Sequence, residues 1–222
     1  MAQYIIKRVE KLPSLEAPWE DSVWQKAETL TLQWHHARSQ GTLPDVQVRV
    51  LHDNRDIAGI FRVDDPSVIA THLEYNSSVC CDSCVEFFFR PNGTEGYFNL
   101  EMSIGGAHLN YYVRDWTRSG DHFADLVVIP EEIGGKFQLR TSRPGRIFPE
   151  EKRRQVWTAV FLVPQEPIAA YRTAPGPLSG QRWTGNFYKC GEDLANPHWI
   201  GWQATEPLNF HQPQFFGDLL FE

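Results

Sequence analysis

Apolar and polar residues alternate with a period of two along much of the chain. Val46, Val48 and Val50 alternate with Gln47 and Arg49, the pattern of a strand with one buried face. His52 to Asp56 then supplies turn chemistry, and Ile57 to Val63 resumes an apolar run, which predicts a hairpin. Further on, Val85, Phe87 and Phe89 share one strand face, while Cys84, Glu86, Phe88 and Arg90 share the other. The turn signal Pro91-Asn92-Gly93-Thr94 ends that strand. Phe98, Leu100, Met102 and Ile104 alternate next. After the Gly105-Gly106 break come Leu109, Tyr111 and Val113, completing the pattern of an antiparallel meander.

The second half repeats this pattern with longer loops. Strands are predicted at Phe137–Thr141, Val156–Val163, Arg182–Cys190 and Leu219–Phe221. Trp157, Ala159, Phe161 and Val163 form one face of the second of these. Val156, Val160 and Leu162 are also apolar, which places that strand centrally in its sheet. Helices are few and short, at Asp21–Ala27 and Pro167–Tyr171, and the polar, proline-interrupted stretch Arg143–Arg154 reads as a loop. With no internal repeat and no shift in composition, residues 1–222 read as a single all-β domain, an antiparallel β-sandwich.

Charge and hydropathy narrow the function classes. The chain has 21 basic and 28 acidic side chains, a formal charge of −7, which argues against a nucleic-acid-binding surface. No apolar run approaches the roughly 20 residues of a membrane-spanning helix. Met1 to Glu10 lacks the apolar core of a signal peptide, so the chain as written reads as a cytoplasmic protein without a membrane partner. Nothing in the sequence sets its oligomeric state.

Sequence patterns for catalysis are sparse. G-x-S-x-G, a phosphate loop, H-E-x-x-H and a strand-linked G-x-G-x-x-G are all absent, and Gly134-Gly135-Lys136 reads as a turn. The acidic pairs Asp64-Asp65 and Glu131-Glu132 read as solvated, while Glu86 and Glu101 lie within strands. Cys81-Asp82-Ser83-Cys84 has C-x-x-C spacing, with His198 and His211 further on. A structural zinc draws four ligands from two such knuckles, however, and Cys190 has no neighbouring partner. Buried thiols, or one disulfide, fit the four cysteines better. No local spacing nominates any of the eight histidines for catalysis. Trp183, Trp199, Trp202, Phe210, Phe215 and Phe216 lie in a Gly-, Pro- and Asn-rich region, where flat rings either stack on sugars or pack the core.

A mid-strand carboxylate in an aromatic sheet needs a partner or a cleft. For Glu86 the candidates are an ion pair with Lys189 and a place in a ligand site.

Several separated motifs carry a family resemblance. Phe61-Arg62-Val63-Asp64-Asp65-Pro66, Asp82 to Phe88 and Gly96-Tyr97-Phe98 resemble the family 9 carbohydrate-binding modules. So do Asn186 to Glu192 and the closing run from Ile200-Gly201-Trp202 through Phe210-His211-Gln212-Pro213 to Phe216-Gly217-Asp218-Leu219. The likeness extends from about Trp19 to the end. It implies a jelly-roll sandwich akin to DOMON domains that binds sugars without catalysis.

Modules of that family clamp a chain-end sugar between two tryptophans. Carried over by motif, the clamp positions are Val79 and Phe210, so one stacking face is missing. That loss corresponds to about 1–3 kcal/mol of apolar burial. Trp116 or Trp199 could replace the face, with Trp202 in support. Of the family's polar contacts the glutamate is retained as Glu86, while Asn99 and Lys189 stand at the positions of its arginine and glutamine. The resemblance also implies structural calcium, for which Asp64, Asp65 and Asp82 are the oxygen donors at hand.

Two other functions remain open on the sequence. One is a glycoside-processing enzyme using Glu86 with Asp82 or Glu101. The other is a haem or redox domain with Met102 or a histidine as axial ligand, although Met102 falls on an apolar strand face.

Overall fold

The computed structural model describes residues 2–93, 95–120, 122–173 and 175–222, except for the side chains of Ser119 and His122. Its strands in chain order begin with β1 (Gln3–Arg8), β2 (Leu30–Thr31), β3 (Trp34–His35), β4 (Asp45–His52), β5 (Ile57–Asp65) and β6 (Val68–Ala70). The meander is β7 (Cys84–Arg90), β8 (Tyr97–Ser103), β9 (His108–Ser119) and β10 (His122–Val128). Then come β11 (Gln138–Thr141), β12 (Ile147–Glu151), β13 (Gln155–Val163), β14 (Arg182–Gly191), β15 (His198–Gly201) and β16 (Gly217–Phe221). Among the described residues, helices are limited to α1 (Glu131–Gly134), α2 (Gln165–Ala169) and three single 3₁₀ turns.

The main path runs β10-β9-β8-β7-β14-β16-β1-β4-β5-β13-β11 and curls on itself at β1. Residues 3–6 of β1 pair with β16, and residues 7–8 pair with β4, so one strand belongs to both layers. Both pairings of β1 are parallel, whereas the meander and the β4–β5–β13 layer are antiparallel. A sheet that passes one strand between layers buries the inner faces of both.

The inner faces carry the residues that the period-two pattern selects. Phe87 and Phe89 on β7, Phe98 on β8 and Phe187 on β14 meet Phe61 on β5 and Phe161 and Trp157 on β13, all buried. Phe87 and Phe187 are stacked at 4.8 Å, and Phe87 lies 5.7 Å from Phe161 across the layers. Met102 is buried in the same cluster.

Each layer is also covered on its outer face. Trp24, held in a 3₁₀ turn at Trp24–Lys26, packs with Ala58, Ile60 and Val160 on the outside of the β4–β5–β13 layer. This explains why both faces of Val156–Val163 are apolar, although Val156 itself is half exposed. Outside the β7–β8–β14 layer, a second cluster contains Val79, Cys84, Phe88, Tyr97, Tyr188, Cys190, Phe210 and Phe216.

Two expectations change. The stretch Arg143–Arg154 is not wholly loop, because Ile147–Glu151 forms β12 and pairs with β6. The helix expected over Asp21–Ala27 is only the single turn Trp24–Lys26. The turn expected at Pro91–Thr94 ends on Thr94, which lies outside the described residues.

Candidate functional site

The outer face of the meander is where chemistry collects. Strand alternation aims Cys84, Glu86 and Phe88 away from the core, and the register sets Glu86 directly opposite Glu101 on β8 and Tyr188 on β14. Directly opposed residues have Cβ atoms about 5 Å apart, so the two carboxylates share one patch. They line a cavity of about 260 Å³ together with Cys80, Cys190, Glu192, Trp199, Phe210, His211 and Arg118.

Each side chain is held by a neighbour. Glu86 is 2% exposed, and its Oε1 accepts a hydrogen bond from the Cys190 thiol at 3.1 Å. Glu101 Oε1 accepts from Asn99 Nδ2 at 2.8 Å, while Asn99 Oδ1 accepts from the Tyr111 backbone N–H at 2.7 Å. Phe210 stacks on Tyr188 with centroids 4.0 Å apart and planes 7° from parallel, and the Tyr188 hydroxyl donates to the Phe210 carbonyl at 3.0 Å. The Trp199 indole N–H donates to Glu192 Oε1 at 3.0 Å. Thus one aromatic edge of the cavity is backed by a ring and the other is tethered by a carboxylate.

Burial dominates the electrostatics. It raises the Glu86 carboxyl well above the usual carboxylate range, and the Glu101 charge raises it further. Burial likewise raises Glu101 to about 7, against the lowering effect of the Asn99 hydrogen bond. His211 is lowered to about 3 by burial and by the Arg118 charge, so it is neutral at pH 7. Burial pushes the Cys80 thiol up, and Cys84 to about 11, which keeps both protonated at neutral pH.

A larger cavity of about 390 Å³ lies at the far end of β7, between Arg90, Gly93, Arg182 and Asp218. Arg182 and Asp218 close on each other in a two-pronged pair at 2.9 and 2.8 Å, and Trp183 there is 1% exposed. That cavity therefore offers little ring face to a ligand, and the smaller one is the candidate site.

The sequence-predicted site residues divide. Glu86, Phe210 and Trp199 line the cavity. Asn99 stands behind it and orients Glu101. Trp116 lies to one side, 6.3 Å from the Tyr97 ring and beneath the Arg90 guanidinium.

Lys189 and Trp202 are corrections. The register pairs Lys189 with Val85, not Glu86, so its side chain enters the opposite side of the sheet. There Lys189 Nζ lies 3.4 Å from Asp65 Oδ2, donates to the Cys190 carbonyl at 2.8 Å and sits 2.8 Å from His198 Nε2. A Glu86–Lys189 ion pair is thereby ruled out. Trp202 is partly buried and packs against the inter-layer core, 6.1 Å from Phe187 and 6.5 Å from Tyr4.

The three aspartates do not form a calcium site. Asp65 is committed to Lys189 and to the Trp157 indole N–H at 3.1 Å. Asp64 pairs with Arg154 at 2.9 Å. Asp82 accepts four hydrogen bonds, from the Thr71 backbone and hydroxyl, the His72 backbone and the Ser103 hydroxyl. A hard cation needs several oxygens aimed at one point, and these three are aimed at separate protein donors.

Cys80, Cys190, Glu192 and Arg118 were not placed in the site by sequence reasoning. Cys190, remote in sequence, faces Cys84 across the β7–β14 register. The motif containing Cys190 and Glu192 was visible in the resemblance, but neither residue has a local spacing signal. Arg118 has none either.

A β-sandwich with an aromatic-walled, carboxylate-floored cavity outside one sheet has the construction of a small-ligand-binding module. The chain belongs to carbohydrate-binding family 9, whose model it matches over residues 20–221. A solved protein from Bacteroides uniformis ATCC 8492, assigned to carbohydrate binding, is 29% identical with a TM-score of 0.85, and 99% of each chain is covered. A family 9 module from Caldicellulosiruptor kristjanssonii, solved with glucose, has a TM-score of 0.67 at 13% identity, covering 100% of this chain and 96% of that one. Its complex with cellotriose gives 0.66 at 13%, with 100% and 94% covered. At that identity the likeness is one of fold. No curated protein matches the chain significantly.

Proposed function

We propose that the protein binds a carbohydrate ring, without transforming it, in the cavity between Trp199 and Phe210. The observation that carries this reading is the pair of buried carboxyls, Glu86 and Glu101, sharing one cavity with the aromatic side chains Trp199 and Phe210. Apolar ring faces stack on aromatic surfaces, and carboxyls hydrogen-bond hydroxyls. At about 260 Å³ the cavity lies just below the roughly 300 Å³ of the smallest drug-sized sites, which suits one sugar ring at a chain end. The C. kristjanssonii module solved with glucose and cellotriose supports the ligand class through its shared fold.

The arrangement of the carboxyls supports a non-catalytic role. A glycosidase sets its two carboxyl groups on either side of the scissile bond. Here Glu86 and Glu101 are strand neighbours and reach a ligand from the same side. Asp82, the other partner considered, has both oxygens engaged by protein donors.

Calorimetric titration with a panel of mono- and oligosaccharides tests this reading. Saturable binding that Trp199→Ala weakens, with no release of reducing ends over hours, is the expected result. Absence of binding across the panel, or hydrolysis of a bound oligosaccharide, would overturn it.

A further inference from the structure

We propose that the cavity selects sugars carrying a free amino group, with the ammonium seated between Glu86 and Glu101. This inference rests on the sugar-binding reading above and specifies its ligand class. Three observations support it.

The first is charge balance. Three carboxylate side chains, Glu86, Glu101 and Glu192, face the cavity against the single guanidinium of Arg118. Arg118 is exposed at the rim and lies 3.8 Å over the Phe123 ring. Lys189, the cation that the sequence placed beside Glu86, is on the other side of the sheet and bound to Asp65. The cavity therefore brings together acidic side chains on which burial holds protons while it is empty, and an ammonium placed between them takes over the role of those protons.

The second is incomplete hydrogen bonding. Glu86 and Glu101 are 2% and 6% exposed, yet each has a protein donor on only one oxygen, Oε1. No protein donor reaches the second oxygen of either among the described residues, and both residues line the cavity. An ammonium brought by the ligand supplies the donors that the protein does not. Glu192 is different, because its Oε1 already accepts from the Trp199 indole.

The third is geometric. These two oxygens come from residues directly opposite each other in the β7–β8 register, a spacing that one ammonium with three donors bridges. A hydroxyl has one proton to donate and can satisfy one of them. Trp199 and Phe210 line the same cavity and supply the aromatic surface for the ring that carries the amine.

The experiment compares glucosamine, galactosamine and mannosamine with their N-acetylated and neutral counterparts. Calorimetry at pH 7 would use the intact protein and the Glu101→Gln and Glu86→Gln variants, each checked for a single cooperative melting transition well above the titration temperature. The expected result is at least tenfold tighter binding of one amino sugar than of its N-acetyl and neutral counterparts. That preference, taken as the ratio of the two affinities in the same protein, should fall to less than threefold in Glu101→Gln. Equal or weaker binding of every amino sugar, with a neutral sugar still bound, would overturn this inference and leave the sugar-binding reading intact. A preference that survives both substitutions would also overturn it. Failure of every sugar to bind would overturn both.

Discussion

Lys189 and Asp65 form a wholly enclosed ion pair, Nζ to Oδ2 at 3.4 Å, on the core side of the strand whose other side builds the cavity. Trp157 and His198 complete the cluster through Asp65 and Lys189 respectively. A charge left alone in such a place is costly, so removing one partner destabilises far more than the pair itself contributes. Lys189→Met is expected to cost about 3–5 kcal/mol in urea unfolding, with much of that loss recovered in the Lys189→Met/Asp65→Asn double variant. Sugar affinity of folded Lys189→Met should remain within twofold of wild type. A selective loss of affinity would put Lys189 back in the site.

The aromatic residues separate in the same way. Phe210→Ala removes a ring that stacks on Tyr188 and walls the cavity. The expected loss is about 1–3 kcal/mol of binding, roughly 5- to 150-fold in Kd. Trp202→Ala should instead lower stability by about 2–3 kcal/mol and leave affinity unchanged, because its ring covers Phe187 and Tyr4. Parallel titrations and thermal melts of the two variants check both statements.

Glu101 makes stability fall as pH rises. Its carboxyl is raised to about 7 in the folded protein, against 4.5 as the ordinary value, so between those values the folded state holds more protons than the unfolded state. Stability from this group is full below about pH 4.5 and is lost as pH rises through 7. The loss is on the order of 3 kcal/mol. Glu101→Gln should flatten that decline and exceed wild type in stability at pH 8. Urea midpoints at pH 5, 6.5 and 8 would show it; parallel curves for the two proteins would refute it.

His198 acts in the opposite sense. Burial and the Lys189 charge lower it to about 3, so the unfolded chain takes up its proton first as the solution is acidified. Stability from the neutral ring is present above about pH 6.5 and is lost as pH falls toward 3. His198→Gln should therefore reduce the acid sensitivity between pH 6 and 4. An unchanged acid limb would contradict the assignment.

The strands and their buried faces were legible because strand alternation is a local property. Phe87, Phe98, Trp157 and Phe161 face inward as the period-two pattern requires. Face assignment across strands was not legible, because it depends on register. Glu86 and Lys189 lie on neighbouring strands, and a shift of one position decides whether they meet. The cavity's remaining walls come from loops joined by long-range pairing. The Glu192 backbone N–H, for example, donates to the Cys80 carbonyl at 3.2 Å across more than a hundred residues. Asp65 and Asp82 looked like free oxygen donors for the same reason, since their partners Lys189 and Ser103 are distant in sequence.

The most direct test of the central claim is to watch the eight tryptophan indole N–H resonances during a sugar titration. Trp199 borders the cavity through an indole tethered to Glu192, whereas Trp157 and Trp183 are buried in the core. The account predicts that the Trp199 resonance shifts progressively to saturation while those of Trp157, Trp183 and Trp202 stay in place. A saturating sugar that moves Trp202 or Trp183 and leaves Trp199 unmoved would contradict it.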